Sequence, residues 1–522
     1  MSLNLKTLVR QPASASQRVA KNTGILYAKM GITVFISLYT TRLILNSLGI
    51  DDFGIFGLLG GAIAMLGFLN SAMGAATQRF ISYAEGEGNK EKQKSVFNVS
   101  VVLHFLIAIF MGLVLFIVGY FFLEYLEIAP QRLAAARIIY NFMILSTMLS
   151  IMTVPYEAVV NAHENMLYYA IVGIVESLLK LSVAFVVVHT IADKLIVYGI
   201  LMTCISFIVM TLMRIYCHKK YEECEFRPRK WFDKQLMREM TSFSGWSLLG
   251  SQSSLLAIYG QGIVINKFFG TNLNAAMNVA NQIEGQLYSL ATTLMRALNP
   301  VILKSEGAGN RELMFKAAIS GSKIAVFLIA FISIPIIIEM PYLLTIWLKN
   351  PPEFAIIFCR LTLISGFFDF FSTPIRTTIV AHGNIKKYEI VFSSVCSLPL
   401  IVVFFLFYIG FAPYFLYIVF LIYSAISLGI TLYFAWRNFA FPIAHFLKKA
   451  FCRTWAIILI VSSISAIPLL FFESNFLRLL LVLFVSSATC LLGIWFLGFE
   501  DYEKAKIKEF ISPVVSRVFR RK

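Results

Sequence analysis

The sequence has 522 residues, of which 58% are hydrophobic and only 14% charged, and it carries a formal net charge of +17. Its mean hydropathy of +0.77 excludes a soluble globular domain of ordinary composition. A membrane-spanning helix needs roughly 20 mainly apolar residues, and a helix satisfies its backbone hydrogen bonds within such a segment. The sequence therefore predicts an all-α polytopic membrane protein.

Apolar segments of spanning length recur along the chain with short polar breaks. The first 21 residues contain four bases but no apolar core, so we expect no cleavable signal peptide, and the first span serves as the insertion signal. The segment lengths predict about 14 spans. Their approximate bounds are 23–45, 54–82, 95–122, 132–160, 168–190, 194–217, 241–267, 273–303, 313–338, 354–380, 388–409, 414–437, 450–472 and 476–497.

Loop charges predict the orientation of these spans. Bases are concentrated in alternate connections, such as 90–94, 219–238 and 386–387, whereas the intervening connections carry acids such as Asp52 and Glu339. Because basic loops stay in the cytoplasm, both termini are predicted to be cytoplasmic, in a multi-pass protein of the bacterial cytoplasmic (inner) membrane. This topology, together with contact with anionic membrane lipids, accounts for the positive charge, so no nucleic-acid partner is expected.

Motifs for catalysis are not recognisable in the sequence. The two Gly-x-Gly-Asn loops lack the Lys and Ser/Thr of a phosphate-binding loop, and for Cys217, His218 and Cys224 an interfacial cluster is favoured over a metal site. A membrane-bound sugar polymerase or ligase would need a large external loop, but the longest predicted one, 339–353, has only about 15 residues. We therefore expect a non-enzymatic protein with no cofactor and no metal.

Two sequence signatures recur at nearly the same spacing. The segment 85–89 (EGEGN) follows the second predicted span, and 306–310 (EGAGN) follows the eighth, 221 residues later. Six spans fit within this period, so both copies begin on the same side of the membrane and are predicted to be parallel repeats. The second signature is Pro155, Ala162, His163, Asn165 and Tyr169, which recur 219 residues later as Pro374, Ala381, His382, Asn384 and Tyr388.

The repeat predicts the domain organisation. Each copy forms a lobe of six spans, and two further spans follow the second copy. The predicted units are a cytoplasmic N-terminal segment (1–21), an N-lobe (22–217), a basic cytoplasmic linker (218–240), a C-lobe (241–437), the last two spans (438–498) and a cytoplasmic tail (499–522).

With these signatures and this span arrangement, nearly the whole chain resembles the multidrug/oligosaccharidyl-lipid/polysaccharide (MOP) exporter superfamily. Within that superfamily it is similar to the polysaccharide flippases. The resemblance implies two MATE-like lobes around a central cavity and transport by alternating access, without covalent chemistry. It also implies a lipid-linked oligosaccharide as cargo, carried on undecaprenyl pyrophosphate for O-antigen or capsule biosynthesis. Glycan polymerases or glycosyltransferases are candidate partners.

Polar residues predict a cavity inside the membrane. In span eight, Asn278, Asn281, Tyr288 and Arg296 lie along one helical face, where interhelical hydrogen bonding is the alternative interpretation. The equivalent face of span two is small or polar and adjoins Arg79. For Arg79 and for Arg376, both near the inner surface, snorkelling to the surface is the favoured account.

Ionisable residues inside the bilayer are costly and therefore face a partner or a wet cavity. Lys29 and Thr33 share one polar line of span one, where a pyrophosphate headgroup would accept charge-assisted hydrogen bonds. Because a polyprenyl tail cannot leave the bilayer, the headgroup must cross in the cavity while the tail stays in lipid. Glu176 and Lys180 are expected to form an intrahelical pair.

Asp369 and Glu284 are candidates for ion coupling. Asp369 either pairs with Lys323 or Arg360 or carries a proton, and for Glu284 a structural partner is favoured. A lipid II flippase, a cation-coupled multidrug exporter of the same superfamily, and a scaffold or channel are the alternative functions. The predicted substrate-binding residues are Lys29, Thr33, Arg79, Asn278, Asn281, Tyr288 and Arg296.

Overall fold

The structure, a computed structural model, describes residues 15–64, 67–125, 130–269, 271–348, 351–501 and 503–505. This part of the chain contains helices and no strands. Most of the predicted N-terminal segment and of the predicted C-terminal tail lies outside the described residues. The helices are α1 (Ala15–Ala64), α2 (Gly67–Gly86), α3 (Lys90–Tyr125), α4 (Pro130–Ala162), α5 (Met166–His189), α6 (Lys194–Lys220), α7 (Pro228–Trp231), α8 (Lys234–Phe269), α9 (Thr271–Gly307), α10 (Arg311–Ile338), α11 (Met340–Leu348), α12 (Ala355–His382), α13 (Lys386–Tyr408), α14 (Phe415–Phe439), α15 (Ile443–Phe446), α16 (Cys452–Ser465), α17 (Pro468–Phe471) and α18 (Phe476–Gly493).

Twelve helical segments within the described residues are long and apolar enough to cross a membrane. Two further helical stretches lie where spans two and eight were predicted: the end of α1 together with α2, and α9. They have the length of a span, but their composition is more polar. The predicted all-α membrane architecture is confirmed, and its two polar helices are the pair related by the internal repeat.

Gly49 separates the first two predicted spans inside α1. Its φ of 80° and ψ of 172° belong to a backbone region that is open essentially to glycine alone. The helical path therefore breaks at this residue, close to Asp52. The guanidinium of Arg132, at the start of α4, binds both Asp52 and Asp193 and so ties this break to the start of α6.

The repeated Glu-Gly-x-Gly-Asn signature is a turn between two helices. Gly88 and Gly309 have φ values of 69° and 70°, the left-handed conformation that ends a helix. Asn89 then accepts a hydrogen bond from the backbone N–H of Lys92 at 3.0 Å, and Asn310 accepts one from that of Leu313 at 3.1 Å. These are N-cap bonds, so the signature stops α2 and α9 and starts α3 and α10.

Equivalent helices make equivalent contacts in the two halves of the chain. Helix α1 packs on α5 and α4 on α6, just as α8 packs on α13 and α12 on α14. The halves meet where α2 packs on α9, and also at two seams, one between α1 and α9 and the other between α8 and α2. Because α8 is the repeat partner of α1 and α2 that of α9, the two seams are themselves related by the repeat. The lobe boundaries 22–217 and 241–437 stay predictions.

The last two long helices pack on each other and on α10. Arg478 in α18 binds both carboxylate oxygens of Glu339, at 2.8 Å each, and Glu339 is fully buried. Near the middle of α10, Lys323 Nζ lies 2.6 Å from Glu503 Oε2, in the segment that follows the last long helix. Ion pairs at the end and near the middle of α10 therefore attach this C-terminal region to the second half.

Candidate functional site

A cavity of about 260 Å³ opens at the seam between α1, α5 and α9. Lys29, Thr33 and Arg296, three of the predicted substrate-binding residues, all line it. This volume lies below the roughly 300–1,000 Å³ of pockets for drug-sized ligands, but it can accept a compact anionic group. The other lining residues are Leu26, Met30, Tyr169, Ser289, Thr292 and Thr293.

Tyr169 holds the two cations of this seam cavity together. Lys29 Nζ lies 4.5 Å and Arg296 Cζ 4.7 Å from the centre of its ring, and Arg296 also donates a hydrogen bond to its hydroxyl. Gly173 makes room for the lysine, because a Cβ there would lie 2.3 Å from Lys29 Cε. Tyr169 belongs to the repeated signature but was not predicted as a site residue.

Neither Lys29 nor Arg296 has a carboxylate within the 4.0 Å ion-pair distance in the described part of the chain. Glu157 interacts electrostatically with both cations at longer range, while Glu176 is held by Lys180 at 2.6 Å, as the sequence predicted. A pair of cations without a direct counter-ion, facing an open cavity, is a ready site for an anion.

The polar face of α9 continues from the seam cavity towards the other end of the helix. Asn278 and Tyr288 are exposed, Asn281 is half-buried, and a Cβ at Gly285 would have no atom within 4 Å. Asn278 and the position of Gly285 therefore face open space, whereas Tyr288 is exposed on one side and contacts α12 on the other. They lie outside the seam cavity itself.

The structure corrects the expectation for Arg79. Its side chain lies in a separate cavity between α2, α8 and the α12–α13 connection, and Nη2 donates to the Ala381 carbonyl at 3.3 Å. Arg376, for which snorkelling was expected, instead pairs with the buried Glu389 at 3.1 Å. In the described chain, only Lys29, Thr33 and Arg296 of the predicted binding residues share one cavity.

Pairing of Asp369 with Lys323 or Arg360 was wrong. Lys323 binds Glu503, and Arg360 donates to the Ile337 and Ile338 carbonyls at 2.9 and 3.4 Å. Asp369 instead interacts electrostatically with Glu284, for which the favoured structural partner is not found among the described residues. Tyr288, packed on Phe370 at 5.0 Å, interacts with both carboxyl groups.

The halves also meet closely where α2 and α9 end. A Cβ at Gly86 would lie 2.2 Å from the carbonyl oxygen of Lys304, and a Cβ at Gly307 would lie 2.2 Å from that of Tyr83. These two contacts are exchanged by the internal repeat, and only glycine permits such an approach of two helix backbones. We call the end of the molecule that carries them the basic end, defined by residues 86–90, 163–165, 307–311 and 383–386.

In each repeat, the histidine of the Pro-Ala-His-Asn-Tyr signature contacts the first glutamate of the Glu-Gly-x-Gly-Asn signature. His163 Nδ1 lies 3.2 Å from Glu85 Oε1, and His382 Nδ1 lies 3.3 Å from Glu306 Oε1. Burial alone would lower the pKa of His163, but its hydrogen bonds to Glu223 and Glu85 raise that pKa to about 9. The two signatures of the repeat are therefore one structural unit at the basic end.

Comparison with protein families identifies the chain. A family model described as "Polysaccharide biosynthesis protein" matches residues 19–306, more than half of the chain, and the MatE model matches residues 262–409. A search of curated protein sequences found no significant match.

Solved transporter structures have the same fold. A MATE transporter in the bent conformation superposes with a TM-score of 0.72 at 14% identity, covering 83% of this chain and 97% of its own. An outward-facing multidrug resistance MATE transporter gives 0.70 at 13% identity, and a MOP superfamily transporter from Pyrococcus furiosus gives 0.69 at 13%; each covers 82% of this chain and 97% of its own. The family resemblance predicted from the sequence is confirmed: the chain belongs to the polysaccharide biosynthesis protein family and has the fold of the MATE transporters of the MOP superfamily.

Proposed function

We propose that this chain is a flippase that moves an undecaprenyl-pyrophosphate-linked oligosaccharide across the bacterial cytoplasmic membrane for surface polysaccharide (O-antigen or capsule) biosynthesis. Lys29 and Arg296 of the seam cavity carry this proposal, because within the described ranges neither cation has a direct counter-ion. Arg296 offers a planar fork and Lys29 a compact charge, and both suit phosphate oxygens. The cavity lies at a seam between the two halves, where the headgroup can enter while its tail remains in lipid.

The contacts at the basic end support alternating access. Packing of Gly86 and Gly307 against the opposite helix closes this end of the bundle, while the polar face of α9 remains open. We propose that opening of the basic end, which the loop charges assign to the cytoplasm, exposes Lys29 and Arg296 to a headgroup made inside the cell. Asp369 and Glu284 are the proposed binding groups for a coupling ion.

A multidrug exporter is the second candidate, because one solved structure with this fold is a multidrug resistance MATE family transporter. Lys29 and Arg296 have no direct ion-pair partner among the described residues and argue against cationic drugs as cargo, since like charges repel strongly where solvent screens them poorly. A lipid II flippase would use the same headgroup chemistry and remains an alternative cargo assignment.

Complementation of a flippase-deficient strain tests the proposal. We expect Lys29→Ala and Arg296→Ala to reach the membrane in normal amounts but to lose most transfer of the lipid-linked sugar. Arg296→Lys should restore only part of that transfer, because a point charge replaces a fork. Lys219→Ala, which removes an exposed cation away from the cavity, is the matched control. Full complementation by both alanine variants would remove these residues from the site.

A further inference from the structure

The second seam, between α2 and α8, contains a larger cavity at the basic end. Its volume is about 590 Å³, within the range of known ligand pockets. Its walls come from the end of α2, the start of α8 and the connection between α12 and α13. The lining includes Arg79, Arg238, Glu239, Phe243, Trp246 and Lys386.

Three cations line this second cavity. For Arg79, Arg238 and Lys386, no carboxylate lies within 4.0 Å among the residues that the structure describes. The lining acid, Glu239, accepts a hydrogen bond from Gln235 at 3.2 Å. Many other bases of this end are paired, for example Lys304 with Glu85 at 2.9 Å. Glu239, Glu87 and Glu306 interact electrostatically with Arg79 at longer range. The second cavity therefore concentrates three cations, none of which has a direct ion-pair partner among the described residues.

Arg79 is held rigidly in the wall of this cavity. Its guanidinium lies over the rings of Phe80 and Phe243, with centroid distances of 4.5 and 5.4 Å. Gly383, with a φ of 93°, leaves the space that Nη2 occupies, since a Cβ there would lie 2.3 Å away. The Nε atom is buried and has no hydrogen-bond partner among the described residues. A buried, unsatisfied charged donor is costly, so an anion at this site would relieve that cost.

The second cavity contains a tryptophan, a residue that favours the boundary between lipid and water. Lys386 Nζ lies 4.9 Å from the ring of Trp246, and tryptophan is enriched where membrane and water meet. Basic pockets between helices at this level bind the headgroups of anionic lipids.

We propose that this cavity is a second anion site, which binds a phosphate or pyrophosphate group. The biological role of this site rests on the proposed function. The site would hold the headgroup of a phosphate-bearing lipid at the basic end. Its seam is related by the repeat to the seam that contains Lys29 and Arg296. One basic cavity therefore lies at each of the two seams, although the cations that line the two cavities are not repeat equivalents. The binding chemistry itself depends only on the three cations.

Binding of fluorescent phosphatidic acid to the full chain in phosphatidylcholine nanodiscs tests this site. The double variant Arg238→Gln/Lys386→Gln removes two exposed charges and leaves the packed Arg79 in place. Loss of two charge-assisted contacts should weaken binding roughly a hundredfold. Lys387→Gln, which removes the neighbouring exposed cation outside the cavity, should leave binding unchanged.

Competition with inorganic pyrophosphate separates the two sources of the anion. Displacement of phosphatidic acid in the wild type supports recognition of the phosphate group alone, free or lipid-borne. A lack of displacement, with binding still lost in the double variant, supports a lipid headgroup. Equal losses in the double variant and in Lys387→Gln, or no loss in either, would overturn the second site. If the second site is overturned in this way while Lys29→Ala is deficient in transport, the proposed function stands. If only the double variant loses binding while Lys29→Ala and Arg296→Ala transport normally, the proposed function is overturned and the second site stands.

Discussion

Lys304 Nζ lies 2.9 Å from Glu85 Oε1 and joins the two halves of the chain across the basic end. Both side chains are about one-fifth exposed (21% and 22%), and Lys304 also lies 3.4 Å from Glu164 Oε1. Partial burial reduces the solvent screening that makes exposed pairs weak. The contacts of Lys304 therefore stabilise the closed arrangement of α2 and α9.

Lys304→Gln should open the basic end. The substitution leaves two carboxylates without their shared cation, so we expect the closed state to lose roughly 1–2 kcal/mol. Pulsed electron paramagnetic resonance between spin labels at the exposed positions Glu91 and Ala308 would show a larger fraction of long distances. Lys316→Gln, which breaks an exposed pair in α10, is the control. An unchanged distance distribution in Lys304→Gln would exclude this bridge as a determinant of closure.

Gly86→Ala and Gly307→Ala should also prevent closure, for a steric reason. Each new Cβ would meet a backbone carbonyl oxygen at 2.2 Å, and a helix backbone cannot move aside as a flexible side chain can. We expect transport to fall by at least about tenfold in either variant. Gly285→Ala, in the same helix as Gly307 but with open space around it, should stay near wild-type activity. Normal transport by both variants would contradict the closed contact as part of the cycle.

His163 should make stability depend on pH. Burial opposes its protonation, but hydrogen bonds to Glu223 and Glu85 outweigh burial and raise its pKa from 6.5 to about 9. The folded state therefore binds the proton more tightly than the unfolded state does. The stabilisation is complete below pH 6.5 and is lost as the pH rises to about 9. After allowance for partial exposure it amounts to about 2 kcal/mol.

The free energy of unfolding in detergent, measured from pH 6 to pH 10 for the wild type and His163→Gln, checks this expectation. The difference between the two proteins should be largest at pH 6 and vanish near pH 10. A difference that grows with pH would show that the histidine is neutral in the folded state.

Features that depend on periodicity could be predicted from the sequence. The spacing of the signatures gave the repeat, and the helical period placed Arg296 on an open polar face. Lys29, Thr33 and Arg296 line one cavity because all three lie on polar helix faces and their helices, α1 and α9, meet at one seam.

Features that depend on long-range side-chain packing could not be predicted. Lys323 was expected near Asp369, but its partner Glu503 is 180 residues away, and no local pattern connects them. Arg79 lies at the α2–α8 seam, whereas Lys29 lies at the α1–α9 seam. The periodicity of a single helix does not predict which other helix it contacts. Tyr169 was visible in the repeat, yet its contact with two cations required the positions of three helices.

Arg478 and Glu339 should behave as a coupled pair. Arg478→Met alone leaves a fully buried carboxylate without its partner, which costs roughly 3–5 kcal/mol. The double variant Arg478→Met/Glu339→Met removes both charges and should recover most of the folded protein. Fluorescence-detected size-exclusion chromatography of the variants measures this recovery. If the double variant is as poorly folded as the single one, packing rather than charge attaches α18.

The orientation of the chain can be tested with an impermeant maleimide added to intact cells. Ile191, between α5 and α6, is fully exposed at the end opposite the basic end, so Ile191→Cys should be modified from outside. Native Cys452 is exposed beside Lys448 and Lys449 and should react only after the cells are permeabilised, because basic connections remain inside. Cys224 is unsuitable as the inner reporter because its side chain is buried. Labelling of Cys452 in intact cells, with no reaction at the thiol introduced by Ile191→Cys, would reverse the assigned orientation.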